Sequence, residues 1–249
     1  TSRGPNRIDL FRVLLNTGTK MVTLDTRHQR PTLACLALLA SLLVSSLPVE
    51  AKSYSLDRLS IHARVDRQGS LWIDETRTYT FDGQYSWADF RLPLDRVGAV
   101  SDFSLSEGGT FFDPSLGEEP GTYSLQTSSD QLYVKWHFAA RNETRSYRLR
   151  YRITEAVAVH RDVAELYFQF VGKINPQSIG SVEVDLELPE VAIFDQVRVW
   201  AHGPLHGRVD FLESGHLSFN IAPLRAQQMW EARVVFPPHW IRASSPSTS

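Results

Sequence analysis

The fold is indicated most directly by the stretch Arg145-Ser146-Tyr147-Arg148-Leu149-Arg150-Tyr151-Arg152-Ile153. Apolar and polar residues alternate along it with a period of two, which is the pattern of a half-buried strand and not of a helix. One face of this strand carries tyrosine, leucine and isoleucine side chains, and the other carries the arginines. The stretch therefore predicts a sheet with one face in a core and one charged face.

The same alternation recurs in about a dozen short segments over the rest of the chain, separated by Gly, Pro, Asp and Ser. Residues 59–65 and 71–81 are predicted to form a hairpin, and residues 87–92, 132–138 and 145–153 are predicted to be three separate strands. We predict an all-β fold, an antiparallel β-sandwich, either continuous or divided near residues 155–163 into two sandwich-like halves.

Composition excludes several classes of protein. The chain has 249 residues, a formal net charge of −2 and 42% hydrophobic residues, which argues against a disordered chain and against a nucleic-acid-binding protein. Its single cysteine excludes a disulfide framework and a thiolate metal cluster. Because phosphate-loop and dinucleotide-binding glycine motifs are also lacking, no cofactor and no metal are predicted.

The beginning of the chain has the pattern of an export signal. Met21 is the first methionine, so residues 1–20 are interpreted as a non-native upstream extension. Residues 21–51 combine basic residues, an apolar run of about fifteen residues and small residues before a cleavage point after Ala51. We therefore expect a signal peptide over 21–51 and a domain outside the cytoplasmic membrane over 52–238.

The end of the chain, residues 239–249, has the small polar composition of a linker or tail. Trp240 follows two prolines and a histidine, and we expect its ring to lie beside a membrane surface. A membrane tether beyond this point in the full-length protein is the corresponding expectation. Most of the other tryptophans are expected in the core, although exposed rings could stack on sugars.

Several segments occur in a fixed order over nearly all of residues 53–238. They are Ile61-x-Ala63-x-Val65-x3-Gly69-Ser70-Leu71-x-Ile73-x-Glu75, Tyr79-x-Phe81-x-Gly83, Phe90-Arg91-x-Pro93, Tyr147-x-Leu149-x-Tyr151, Ala164-Glu165-Leu166-Tyr167-Phe168, Val182-x-Val184-x-Leu186-x-Leu188-Pro189, Trp200-x2-Gly203-Pro204-x2-Gly207 and Trp230-Glu231-x-Arg233-x-Val235-Phe236-Pro237. This series resembles the extracytoplasmic region of a bacterial family of predicted membrane proteins, domain of unknown function 2207. The resemblance implies a domain outside the cytoplasmic membrane, followed in the family by transmembrane helices. It implies no catalytic residues.

Two charged stripes are the most informative surface pattern. Arg148, Arg150 and Arg152 leave one strand on a single face, and a second strand carries three acids in the same alternation, Glu183, Asp185 and Glu187. If the two strands are neighbours, the stripes can pair with each other. If they are apart, the arginines form a partner-binding surface for an envelope protein or an anionic envelope component, such as a lipid headgroup or cell-wall phosphate.

Other residue patterns give little support for catalysis. His202 and His206 are four residues apart, but the intervening Gly-Pro forbids a helix, so a turn is a better interpretation than a metal site. Asp74 and Glu75 are neighbours in a strand and point to opposite faces, so they cannot act together on a glycosidic bond.

The sequence therefore favours a non-enzymatic interaction or sensing module at the cell envelope. An envelope glycan hydrolase is the alternative, and it would need carboxylates that converge only in the folded protein.

Overall fold

The computed structural model describes residues 52–94, 98–128, 130–173, 175–191 and 194–242. The predicted upstream extension, the signal peptide and the end of the tail lie outside these residues. The described residues form strands and two 3₁₀ helices, at Phe194–Gln196 and Pro238–Trp240. The strands are β1 (Ser53–Val65), β2 (Leu71–Pro93), β3 (Val100–Glu107), β4 (Thr110–Phe111), β5 (Asp113–Pro114), β6 (Thr122–Thr127), β7 (Gln131–Ile153), β8 (Val157–Val159), β9 (Ala164–Val171), β10 (Ile179–Glu187), β11 (Arg198–His202), β12 (Arg208–Phe211), β13 (Leu217–Ile221) and β14 (Trp230–Phe236).

These strands build two sheets, and the prediction of an all-β sandwich is confirmed. The larger sheet has the order β12-β13-β10-β1-β2-β7-β3-β4. β6 pairs with the first part of β7, on the same edge that β3 pairs with farther along, and β5 pairs with β6. The smaller sheet has the order β11-β14-β9-β8. The inward residues of both sheets share one hydrophobic core, as alternating burial requires in a sandwich.

The larger sheet is mixed and not purely antiparallel as predicted. β1 pairs with β2 in the predicted hairpin, but its other edge pairs with β10 in parallel, and β5 pairs with β6 in the same way. A parallel pair needs a long crossover between its strands. Here the crossover from β1 to β10 includes most of the domain, so residues on both sides of 155–163 lie in one sheet.

The segments predicted as separate strands 87–92 and 132–138 are instead parts of β2 and β7. The two strands remain paired over their whole length and bend together where the register shifts, first between Phe81 and Gln84. At the bend Gly83 has φ of 94° and Asn142 has φ of 49°, and the Gly83 N–H donates to Asn142 Oδ1 at 2.6 Å. Irregular residues on both strands, Gly83 on β2 and Asn142 on β7, bend the strand pair without ending it. The sequence analysis therefore placed strand boundaries where the structure has a bend.

The expectation for Trp240 is wrong. Its ring is buried and stacks on Phe236, with 5.7 Å between ring centroids and 25° between ring planes. Trp240 therefore belongs to the hydrophobic core. Of the described helices, neither is long and apolar enough to cross a bilayer.

Candidate functional site

The charged stripes lie on the outer face of the larger sheet. Outward residues of β7 include Arg148, Arg150 and Arg152, and those of β10 include the three acids Glu183, Asp185 and Glu187. β2 and β1 stand between the two strands. The stripes therefore do not pair with each other across neighbouring strands. The sequence left this question open, because it does not reveal that β10 pairs in parallel with β1.

Two of the three arginines share one carboxylate. Arg148 Nε donates to Asp74 Oδ1 at 2.6 Å, and Arg150 Nε donates to Asp74 Oδ2 at 2.8 Å. Partial burial raises the pKa of Asp74, but the two guanidinium groups outweigh it, so that this pKa lies below its usual value. Both arginine side chains remain about half exposed, so a partner can still contact them.

The third arginine is placed by an aromatic ring. Arg152 and Arg64 lie over the Trp72 ring, with guanidinium carbons 5.3 and 5.8 Å from its centroid. Arg152 also donates to the Ser70 hydroxyl at 3.0 Å, and the Trp72 indole N–H donates to Asp66 at 3.0 Å. Cation–π contacts fix these side chains without neutralising their charge.

The acidic stripe has partners of its own. Glu183 forms an ion pair with Arg58 of β1. Asp185 Oδ1 forms a hydrogen bond with His216 Nδ1 at 2.7 Å. The His62 ring lies between two acids, with Nδ1 4.0 Å from Asp185 Oδ1 and Nε2 4.0 Å from Glu187 Oε2. The outer face of the sheet therefore has a basic half on β7, where two arginines share one carboxylate of β2, and an acidic half on β10. We call it the bipolar face.

A cavity of about 300 Å³ opens beside the bend of β2. Residues before and after the bend line it together with the start of β1 and the loop 175–177. Five aromatic side chains form its walls: Tyr54, Tyr79, Phe81, Tyr85 and Trp87. We call this cavity the aromatic pocket.

The rings of the aromatic pocket hold one another in place. Tyr79 and Phe81 are buried and stack at 5.8 Å, forming the floor. Tyr85 packs against Phe81 at 5.0 Å and meets Tyr54 edge-on at 5.7 Å. Trp87, at 50% exposure, stands at the mouth. Interlocked rings of this kind give a preformed apolar wall.

A buried ion pair lies against the pocket floor. Glu75 is 1% exposed and accepts a hydrogen bond from Arg77 Nε at 2.9 Å. The Arg77 guanidinium carbon lies 4.1 Å from the centroid of the Phe90 ring, and Arg77 lines both the aromatic pocket and a smaller neighbouring cavity of about 100 Å³. Polar groups nearer the rim include Lys52, Ser86, Asp89, Asn175 and Gln177.

Burial and the ion pair shift the pKa values of Arg77 and of the tyrosines beside it. Burial alone would lower the pKa of Arg77, but Glu75 outweighs it, and the pKa is raised. Burial is also the main reason why the pKa values of Tyr79 and Tyr151 are raised. At neutral pH Arg77 is therefore a guanidinium cation, and the phenols of Tyr79 and Tyr151 are neutral.

The sequence analysis did not identify the aromatic pocket. The signal that could have found it is the presence of Glu75 and Arg77 at inward positions of an alternating strand, between Ile73 and Tyr79. Charged residues at core positions are rare unless they are paired. Asp74, next to Glu75, points outward as predicted for neighbours in a strand.

The predicted turn follows His202, which ends β11, and contains His206. His206 Nε2 lies 2.9 Å from the Pro223 carbonyl oxygen, and the His202 ring meets Tyr167 edge-on. Gly203 and Gly207 lie against the Trp230 ring, where a Cβ would come within 2.5 and 2.1 Å of it. Within the described part of the chain, no group of three His, Cys, Asp or Glu residues is arranged to hold a metal ion.

The family model for the N-terminal domain of a predicted membrane protein, domain of unknown function 2207, matches residues 55–236. The chain belongs to this family, as its ordered segments indicated. No curated protein matches the sequence.

Some solved structures have a similar arrangement at low identity. An M1 zinc metallopeptidase from Deinococcus radiodurans is 15% identical, with a TM-score of 0.42, over 74% of this chain and 43% of that one. A nutrient-binding protein, so described provisionally, from Legionella pneumophila is 11% identical, with a TM-score of 0.43, over 72% of this chain and 66% of that one. The chain thus spans less than half the length of the peptidase.

Proposed function

We propose that this member of the family is a non-enzymatic binding module of a membrane-associated protein, located outside the cytoplasmic membrane, and that it binds a saccharide of the cell envelope in the aromatic pocket. The observation that carries the proposal is the cavity of about 300 Å³ walled by five aromatic rings, four of which pack against one another. This volume is at the lower end of the range for small-molecule sites.

The wall of the pocket suits a sugar ring. Sugars present one face of C–H groups, which packs on aromatic rings, and an edge of hydroxyl groups that need hydrogen-bond partners. Trp87 supplies a half-exposed platform at the mouth. Asp89, Asn175 and Gln177 supply acceptors and amide donors at the rim.

The proposed location is supported by two separate features. The pattern of residues 21–51 is that of a signal peptide. The family is described as predicted membrane proteins, of which this domain is the N-terminal part. A domain with an export signal ahead of it and a membrane anchor after it would face the cell envelope, where saccharides are abundant.

Binding without hydrolysis is favoured by the carboxylates of the pocket. Among the described residues that line it, Asp89 is the one carboxylic acid, and its Oδ2 lies 3.1 Å from Arg91 Nη1. Glycoside hydrolysis commonly uses two carboxyl groups on either side of the scissile bond. A hydrolase remains the competing hypothesis, and release of reducing ends that disappears in Asp89→Asn would establish it.

The test is a titration of the protein with soluble disaccharide fragments of peptidoglycan, followed by tryptophan fluorescence and calorimetry. We expect saturable binding that weakens by about tenfold or more in Trp87→Ala, since one lost stacking contact of about 1.4 kcal/mol corresponds to tenfold. The matched control is Trp200→Ala, because Trp200 is 45% exposed but lies on the smaller sheet.

Two results would contradict the proposal. One is the absence of any binding by the wild-type protein to these fragments. The other is an equal loss of binding in Trp87→Ala and in the Trp200→Ala control, which would place the ligand elsewhere.

A further inference from the structure

The two charged stripes of the bipolar face lie in matching rows. The strand register places Glu183, Ser60, Thr76 and Arg148 in one row, Asp185, His62, Asp74 and Arg150 in the next, and Glu187, Arg64, Trp72 and Arg152 in the third. In every row an acid of β10 and an arginine of β7 are three strand spacings apart, about 14 Å. The midline between β1 and β2 is equally far from both stripes.

The charges of each half exceed what the neighbouring residues neutralise. On the basic half, the three guanidinium groups of β7 face the single carboxylate of Asp74 among the residues of these three rows. On the acidic half, the three carboxylates of β10 face the guanidinium groups of Arg58 and Arg64 on β1, and the imidazoles of His62 and His216 lie beside them. Positive and negative potential therefore lie side by side on one face.

We propose that the bipolar face binds the same face of a second copy of this chain, about a two-fold axis that runs parallel to the strands between β1 and β2. This rotation exchanges the left and right halves of the face and leaves the rows in place. Arg148, Arg150 and Arg152 then lie opposite Glu183, Asp185 and Glu187 of the second copy, row by row. Such an interface is isologous, as in most homodimers.

A second copy fits this face better than a partner of uniform charge. A polyanion would gain from the basic half but would meet like charge on β10, and a polycation would meet like charge on β7. Only a partner with the opposite order of charges complements both halves, and the two-fold rotation generates that order from the chain itself. Beside the axis, the first row has the short side chains of Ser60 and Thr76, whereas the second has His62 and Asp74 and the third has Arg64 and Trp72, so the two sheets can approach most closely at the first row.

The size of the face predicts a weak dimer. Four strands about 4.8 Å apart and roughly seven residues rising about 3.3 Å each cover on the order of 400 Å² per copy. A stable interface commonly buries about 800 Å² per partner. We therefore expect a dissociation constant in the micromolar range or weaker, and strong dependence on ionic strength.

The test uses sedimentation equilibrium on the purified chain, and it does not depend on the aromatic pocket. At about 100 µM protein we expect dimers in about 50 mM salt that dissociate in about 500 mM salt. Arg148→Glu with Arg150→Glu should be monomeric, and so should Glu183→Lys with Asp185→Lys. The control Arg161→Glu with Asp162→Lys changes exposed charges in the turn before β9 and should dimerise like the wild type.

Mixing the two monomeric variants is the decisive step. Under the proposed two-fold axis, each half of one variant meets a half of opposite charge on the other, so a heterodimer should form. If the wild type stays monomeric in low salt, or the mixture stays monomeric although each variant melts at the wild-type temperature, the proposal is overturned. A dimer that neither variant weakens would also overturn it, because another surface would form it.

Discussion

Asp74 and Glu75 are neighbours in β2, and each of them binds arginine, but they do so on opposite sides of the larger sheet. Asp74 lies on the outer face and shares Arg148 and Arg150, whose side chains are about half exposed. Glu75 is buried and binds Arg77 against the floor of the aromatic pocket. A carboxylate–guanidinium ion pair therefore occurs once at the exposed surface and once in the core, and the two carboxylates are consecutive in sequence.

The two ion pairs differ in the free energy of unfolding that is lost when one partner is removed. An exposed ion pair contributes little, because water replaces either partner readily. A buried pair is expensive to split, because the remaining charge has no water and no counterion. Arg148 and Arg150 can therefore exchange Asp74 for a carboxylate of a binding partner. The pair of Glu75 and Arg77 instead stabilises the folded pocket.

Arg77→Met should have the largest effect of the changes considered. It leaves the Glu75 carboxylate unpaired in the core, and we expect a loss of about 3–5 kcal/mol in the free energy of unfolding. Urea denaturation measures this loss. The matched variant on the outer face, Arg150→Met, should lose less than about 1 kcal/mol.

The double variant Glu75→Leu with Arg77→Met sharpens this prediction. It removes both charges together, and replacement of a buried pair by apolar residues of similar volume is often nearly neutral. We expect most of the lost stability to return. If the double variant is as unstable as Arg77→Met, packing of the Arg77 side chain on Phe90 and not the unpaired charge is responsible.

Gly83→Ala should have an intermediate effect, through the bend that shapes the pocket. Gly83 has φ of 94°, and a Cβ there would lie 2.5 Å from the Lys52 Cβ at the rim. Backbone strain and the close contact together should cost about 1–3 kcal/mol. Thermal unfolding is the measurement, and binding to the pocket should weaken with it.

Gly109→Ala is the control for the contact with Lys52. Gly109 has φ of 88° but no atom within 4 Å of the added Cβ, so it reports the backbone strain alone. If both variants lose the same stability, the close approach of the Lys52 side chain to the bend has no energetic consequence.

The sequence predicted the outer face more fully than the pocket. Alternation within β1, β2 and β7 is a local pattern, and it correctly separated inward from outward residues, including Asp74 from Glu75. It could not predict that β10 joins β1 in parallel, because strand order depends on contacts between distant parts of the chain. For that reason the sequence left open whether the two stripes pair with each other. The structure shows that they do not, because β1 and β2 lie between them.

The aromatic pocket escaped prediction for a different reason. Its walls come from one strand on both sides of a bend and from the start of β1. Gly83 marks the bend, but a glycine between two alternating runs is equally consistent with a turn. Only the pairing of β2 with β7 on both sides of the bend distinguishes the two cases, and pairing of that kind is not encoded locally.

Asp74→Asn should have the smallest effect, and its pH dependence reveals the cause. Arg148 and Arg150 hold the pKa of Asp74 below its value in the unfolded chain, against the opposing effect of burial. A depressed pKa contributes stability above the unfolded pKa of about 3.9, and this contribution is lost as the pH falls through the folded pKa. We expect Asp74→Asn to cost less than about 1 kcal/mol at about pH 7.

The same variant separates stability from recognition on the bipolar face. In urea denaturation, the difference between wild type and Asp74→Asn should shrink below about pH 4. A difference that stays constant there would mean that hydrogen bonds to the side chain, and not its charge, stabilise the face. At about pH 7 in low salt, Asp74→Asn removes the one carboxylate among the arginines, so dimerisation should strengthen although the fold is slightly less stable. A weaker dimer would indicate that Asp74 itself contacts the second copy, opposite His62, where the two-fold axis places it.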